Sequence, residues 1–209
     1  MPEKTSKALF AIVVGLSTVA LLSAGCFRNT AAPQDVEETD PYPARSHPDS
    51  VLRKLEMAYE AMDLAAYLDC LADTFAFHLL PEDINDPNGD LPSWWGKSCE
   101  DSVHTGMFGL SGGISADSIK VGMENETADF DPGATGDVHD DRWTYEEDVS
   151  VRFHIGEWVY LVNNGQMFVF AVEPGREDTL WQIVDWTELE LWDARGSWCS
   201  WGSVKALWR

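Results

Sequence analysis

From Trp143 to Ile155 the chain alternates for thirteen positions. Trp143, Tyr145, Glu147, Val149, Val151, Phe153 and Ile155 fall on one side, and mostly polar residues fall on the other. A period of two over that length describes a strand buried on one face and wet on the other, and such a strand needs partners along both edges. This constrains the chain to a sheet. Ser115 to Glu124 supplies one further predicted strand, and Leu180 to Leu191, after the turn-like Pro174-Gly175, supplies another. Glu157–Val162 and Gln166–Val172 flank Asn163-Asn164-Gly165 and read as a hairpin, because Asn-Gly provides the positive φ of a tight turn. Asp129 to Asp141 is a Gly- and Asp-rich connection.

Ahead of the strands lie helical signals. Ser46 with Asp49 gives an S-x-x-D cap, Pro48 sits in the first turn, and Val51, Leu55, Ala58 and Met62 recur with helical spacing. Asp63 caps a second, short helix carrying Leu64, Tyr67, Leu68 and Leu71, which runs into a strand from Thr74 to Leu80. Ser98 with Asp101 repeats the capping spacing before Val103, Met107 and Leu110, so a third helix is expected there. Between these, Pro81 to Pro92 reads as a loop. Asp86-x-Asn88-x-Asp90 has the start of a calcium-loop spacing, but Lys97 stands at the twelfth position where a bidentate Glu is required. Three helices followed by a run of strands is an α+β order.

The first 26 residues have a different character. Lys4 and Lys7 precede an apolar run from Ala8 to Leu22, shorter than the ~20 residues that span a hydrocarbon core, and Ser23-Ala24-Gly25-Cys26 follows. A basic start, a short apolar stretch and small residues before a cysteine resemble a bacterial lipoprotein signal, which implies diacylation of Cys26 and removal of residues 1–25. Residues 26–45, with Pro33, Pro41, Pro43 and the acidic run Asp35 to Asp40, have no apolar period and read as a tether. The folded domain is expected over 46–192, and a Trp-rich tail over 193–209 is expected to cover a strand edge or the base of the sheet.

Residues 1–25 carry one net positive charge, Glu3 against Lys4 and Lys7, so their removal moves the formal charge from −22 to −23. A chain this acidic repels nucleic acid. With Cys26 assigned to lipid, Cys70, Cys99 and Cys199 remain, an odd set at spacings that match no zinc pattern and leave the choice of any disulfide open. The cluster Asp129, Asp131, Asp137, Asp140 and Asp141 lacks ligand spacing, and there is no phosphate loop, nucleophile elbow or paired-cysteine motif, so no metal and no cofactor is expected.

The long first helix, the short second helix running into Asp73-Thr74-Phe75-Ala76-Phe77 and the closing Trp181-Gln182-Ile183-Val184-Asp185-Trp186 resemble the nuclear transport factor 2-like superfamily, and within it the SnoaL-like bacterial members. The resemblance covers roughly residues 48–192. It implies a cystatin-like cone, with three N-terminal helices packed on a curved antiparallel sheet and an apolar pocket at the open end. Enzymes of that shape place a carboxylate, His or Tyr inside the cone.

His78, on an early strand beside Ala76 and Leu80, is the candidate base. Asp185, sharing a face with Trp181 and Ile183 under strict alternation, is the candidate buried carboxylate, and Tyr59 or Tyr67 the candidate hydrogen-bond donor. These residues lack a motif that commits them to a reaction. The expected function is therefore a lipid-anchored envelope protein facing the periplasm or exterior, with a non-enzymatic domain that binds a small apolar ligand or a protein, including a second copy through the sheet. The alternative is a small-molecule isomerase, dehydratase or hydrolase. That alternative requires His78 and Asp185 to converge in one cavity.

Overall fold

The computed structural model describes residues 40–85, 91–137, 139–189 and 200–209, with backbone alone at 125–127 and 163–166. The signal segment with Cys26, the tether up to residue 39, Asp86, Asn88 and Asp90 of the acidic loop, and Trp192, Trp198 and Cys199 lie outside the described residues.

Helix α1 (Pro48–Ala61) is capped by His47, not by Ser46. The His47 side chain accepts from the Asp49 N–H, and Ser50 Oγ accepts from the His47 N–H, each at 3.3 Å. Its buried stripe is Val51, Leu52, Leu55, Ala58 and Tyr59. The helix stops at Met62, whose φ of 53° is left-handed, and Asp63 accepts from the Ala66 N–H at 3.0 Å to start α2 (Leu64–Asp69).

Strand β1 (Leu71–His78) follows, then α3 (Pro81–Ile84), a single turn of helix inside the expected loop, and β2 (Trp94–Gly96). Helix α4 (Lys97–Met107) begins at Gly96 with no side-chain cap, so the Ser98 spacing is not used. Strand β3 (Ser118–Asp131) runs further than expected and shortens the acidic connection. β4 (Arg142–Ile155) alternates as read, with Tyr145, Glu147, Val149, Val151 and Phe153 all buried.

β5 (Trp158–Pro174) corrects the hairpin reading. Its turn is at Gly156-Glu157, where Gly156 has φ +58°, and Asn163-Asn164-Gly165 lies within the strand. Val151 pairs with Val162 and Val149 with Gln166, so a step of two residues on β4 faces a step of four on β5. The segment is a bulge. Pairing on both sides of it extends the ladder along the whole of β4, and that gain outweighs the local preference of Asn-Gly for a turn.

With β6 (Trp181–Leu189) the sheet has the order β2-β1-β6-β5-β4-β3. Neighbours are antiparallel, as expected, except β1 and β6, which are parallel. The fold is α+β, with α1 packed against β3 and β6 over one continuous apolar core. Helix α5 (Trp201–Lys205) and a 3₁₀ turn (Ala206–Trp208) end the chain. Trp201, Val204 and Lys205 are buried inside that core, so the tail completes the interior and does not merely cover an edge.

The folded unit also begins before residue 46. Tyr42 OH donates to Asp63 Oδ2 at 2.9 Å, while Arg45, 5% exposed, donates twice to the Asp69 carboxylate and once to the Trp181 carbonyl at 2.8 Å. Arg45 thus clips the entry of the chain to both α2 and the start of β6. Arg45→Ala is expected to cost roughly 2–3 kcal/mol, the scale of charge-assisted hydrogen bonds lost from a buried donor, read as a shift of the urea midpoint at unchanged slope.

Candidate functional site

Four sets of side chains carry chemistry in this fold. The first is the predicted pair. His78 Nε2 lies 2.9 Å from Asp185 Oδ2, and Thr187 Oγ1 donates to Asp185 Oδ1 at 2.9 Å. The two side chains converge, but on the face of the sheet turned away from the core, where they are 40% and 31% exposed.

A bulge is responsible. Val172 pairs with Ile183 and Ala171 with Asp185, so Val184 is an extra residue in β6, and Ile183 and Trp186 both point inward with Asp185 turned outward. Strict alternation assigned Asp185 to the face of Ile183. One inserted residue reverses that parity.

Tyr59 stands on the other side of the sheet, within the second set. It is buried on α1, and its hydroxyl is 2.5 Å from His104 Nε2. His104 Nδ1 faces two acceptors, the Glu100 carbonyl at 2.8 Å and the Glu100 carboxylate at 3.1 Å. The proton therefore belongs on Nδ1, and Tyr59 donates to Nε2.

The Glu100 carboxylate gathers four partners. Tyr67 OH donates to one oxygen at 2.5 Å, while Trp95 Nε1 and Lys205 Nζ, the latter at 2.8 Å, donate to the other, and His104 completes the set. The Lys205 ammonium also lies 3.8 Å from the Phe77 ring centroid, 4.3 Å from Trp186 and 5.1 Å from Trp201. Glu100, His104 and Lys205 have no solvent exposure.

The electrostatics follow from that enclosure. Burial alone would raise the Glu100 carboxyl, but the Lys205 ammonium and His104 outweigh it and hold the group well below the usual carboxylate range. Burial lowers Lys205 and His104 against the pull of Glu100, and burial together with the Glu100 charge raises Tyr59 and Tyr67. With Lys205 Nζ 2.8 Å from Glu100 Oε1, the geometry is that of an ion pair supported by the Tyr67, Trp95 and His104 donors.

Tyr59 was anticipated, but Glu100, His104 and Lys205 were not. The signal was present, since Glu100, Val103, His104 and Met107 share one helical face, so two polar residues sat on an apolar stripe.

The third set fixes the tail. Ser200 and Ser203 each donate to Asp83 at 2.5 Å, and the Gly202 N–H donates to Glu188 Oε1 at 3.0 Å. A Cβ on Gly202 would lie 2.9 Å from Asp83 Oδ2 and 3.1 Å from both Glu188 Oε2 and Leu79, so glycine is what lets the backbone come this close. Burial and the neighbouring Asp83 charge push the Glu188 carboxyl up to about 8.

The fourth set is an open groove of about 480 Å³ between the start of α1 and the β3–β4 pair. Leu52, Met123, Ala128, Trp143 and Tyr145 give it apolar surface, and Asp49, Glu56 and Glu147 give it acid. Tyr145 OH donates to Asp49 Oδ1 at 2.5 Å, Arg53 pairs with Glu56, and Phe130 packs on Trp143 with ring centroids 5.0 Å apart. Among the described residues, a cavity bounded by Tyr59, Met123, Val151, Phe168, Trp186 and Trp201 holds about 10 Å³.

Among the described residues no group of His, Cys, Asp and Glu is placed to hold a metal ion. Cys70 and Cys99 are free thiols, the first buried and pushed up to about 12 by that burial.

No protein-family model and no curated protein matches the chain. Among solved structures, a conserved protein from Planctomyces limnophilus aligns with TM-score 0.49 at 10% identity, over 66% of this chain and 89% of that one. A proposed aromatic ring hydroxylase from Novosphingobium aromaticivorans aligns with TM-score 0.48 at 16% identity, over 72% and 90%. A domain of unknown function with a cystatin-like fold from Nostoc punctiforme aligns with TM-score 0.45 at 12% identity, over 69% and 75%. Likeness at this level assigns no activity to this chain.

Two outcomes are expected. Glu100→Gln or Lys205→Met alone should each cost about 3–5 kcal/mol, because each strands a buried partner, and the double variant should cost less than the sum, as a cycle of urea midpoints will measure. For Glu188 the folded value near 8 exceeds the ordinary 4.5, so the folded protein holds the extra proton between those values and loses stability as pH rises through that window. Glu188→Gln should therefore gain on the native chain from pH 5 to about pH 8 and level off above it in the same unfolding assay.

Proposed function

We propose that this chain is a lipid-anchored bacterial envelope protein whose folded domain is a non-enzymatic binding module for a small amphipathic molecule. The observation that carries the binding role is the groove between α1 and β3–β4. About 480 Å³ of open space with an apolar floor of Leu52, Met123 and Trp143 lies against Asp49, Glu56 and Glu147, while the cone interior is packed by the chain's own aromatic residues. Such a lining takes a molecule with an apolar body and a polar end. The acid excess selects against anions, and the charge of −22 argues against nucleic acid as a partner.

The anchor rests on the sequence from Lys4 to Cys26. Lipid on Cys26 ties the chain to a membrane, and the tether leaves the domain free to work in the periplasm or outside the cell. No helix among the described residues is long and apolar enough to cross a membrane.

One observation favours the enzymatic alternative. His78 is bonded to a carboxylate that Thr187 in turn orients, the arrangement of a general base. Its place on the outer face deprives it of the enclosing pocket that an isomerase or dehydratase uses to exclude water.

The test uses the full chain in a bacterial host. Wild type should sediment with membranes and incorporate labelled palmitate, and Cys26→Ser should do neither. Native mass spectrometry of the unlipidated Cys26→Ser protein should then show a bound small molecule that a further Trp143→Ala change removes. Palmitate incorporation by Cys26→Ser refutes the anchor. A bare mass, or a ligand indifferent to Trp143→Ala, refutes the groove, and a bare dimer mass assigns the role to the sheet surface.

A further inference from the structure

The buried lysine at the end of the chain is an unusual way to fill an apolar interior. A Leu or Met at position 205 would fill comparable volume without stripping water from an ammonium, a cost that pairing with one carboxylate only partly returns. The surroundings are instead fitted to charge. Phe77, Trp186 and Trp201 lie within about 5 Å of Nζ, at 3.8, 4.3 and 5.1 Å, in the range where a ring quadrupole attracts a cation, and Glu100 completes the coordination at 2.8 Å.

Most of this box is built without the tail. Phe77 comes from β1, Trp95 from β2, Glu100 and His104 from α4, Trp186 from β6 and Tyr67 from α2, while α5 adds Trp201 and the ammonium itself. Tyr67 and Trp95 hold the Glu100 carboxylate in place independently of Lys205. Remove the ammonium and a preorganised anion remains among ring faces, with neutral donors but no opposite charge. A hydrated metal ion does not suit that site, because aromatic faces supply none of the oxygen ligands a hard cation takes. An organic ammonium does.

We propose that the aromatic and carboxylate box around Glu100 is a binding site for a primary alkylammonium, and that Lys205 occupies it as a ligand carried on the same chain. The occupant enters as an unbranched aliphatic stem along α5 with its ammonium against Glu100. Lys205 Nζ already stands 2.8 Å from Glu100 Oε1, and the cavity beside Trp186 and Trp201 holds about 10 Å³, so Lys205 and a free amine compete for the same place. The site is separate from the groove and does not depend on what the groove binds.

Lys205→Ala in the full chain deletes three methylenes and the ammonium, and n-propylammonium supplies both. The expected result is a saturable rise in the Tm of Lys205→Ala with n-propylammonium, about 3–6 °C at ten times its dissociation constant, with no comparable rise from n-propanol or propionate. Lys205→Met, whose side chain fills the box, and wild type should stay flat with all three. Equal effects of propanol and propylammonium, or an equal rise in the Met variant, overturn the proposal. Should Lys205→Ala not fold unaided, refolding from urea followed by circular dichroism carries the same decision. Recovery with propylammonium but not propanol supports the site, and recovery with neither refutes it.

Discussion

The ion pair between Lys205 and Glu100 is the constraint around which the interior of this domain is arranged. Neither charge touches water, so each requires the other, and the surrounding polar groups are present to satisfy what the pair leaves over. Tyr67, Trp95 and His104 answer the carboxylate, Tyr59 answers His104, and ring faces answer the ammonium. The helices α1, α2 and α4, the strands β1, β2 and β6, and the end of the chain are thereby fixed to one another by directional contacts. An all-apolar core would have left their relative positions less determined.

The same arrangement decides what fills the interior. Trp201 and Lys205 of α5 fill part of the interior, and the helix is held by Asp83 through two serines and by Glu188 through a backbone N–H. The groove of about 480 Å³ lies at the side, where the start of α1 meets β3 and β4 and where Asp49 ties the helix to Tyr145. The predicted pair of His78 and Asp185 exists as a bonded unit, yet it is separated from Tyr59 by the thickness of the sheet. The three predicted site residues therefore do not form one constellation.

What could be read in advance was whatever depended on period. The seven alternating residues of β4 and the stripe of α1 are properties of a few adjacent turns or pleats, and they survive into the fold. Two failures have one cause. Asn163-Asn164-Gly165 prefers a turn locally, and Asp185 belongs with Ile183 under strict alternation, but both lie at bulges, and a bulge is set by what the neighbouring strand offers. Glu100, His104 and Lys205 escaped notice for a related reason. Two polar residues on an apolar helix face acquire meaning only when the partner that neutralises them, about a hundred residues later, is known. The parallel pairing of β1 with β6 is equally remote in sequence.

That remoteness has a consequence for how the chain is made. β1 has no partner on its inner edge until β6 arrives, and the core lacks Trp201 and Lys205 until α5, later still in the sequence, has been added. A chain synthesised from its N-terminus therefore leaves the aromatic interior open and the anion of Glu100 unanswered until α5 has emerged. A variant lacking α5 would keep every described strand and still leave Glu100 without its countercharge, which makes that one short helix the element on which the electrical balance of the interior depends.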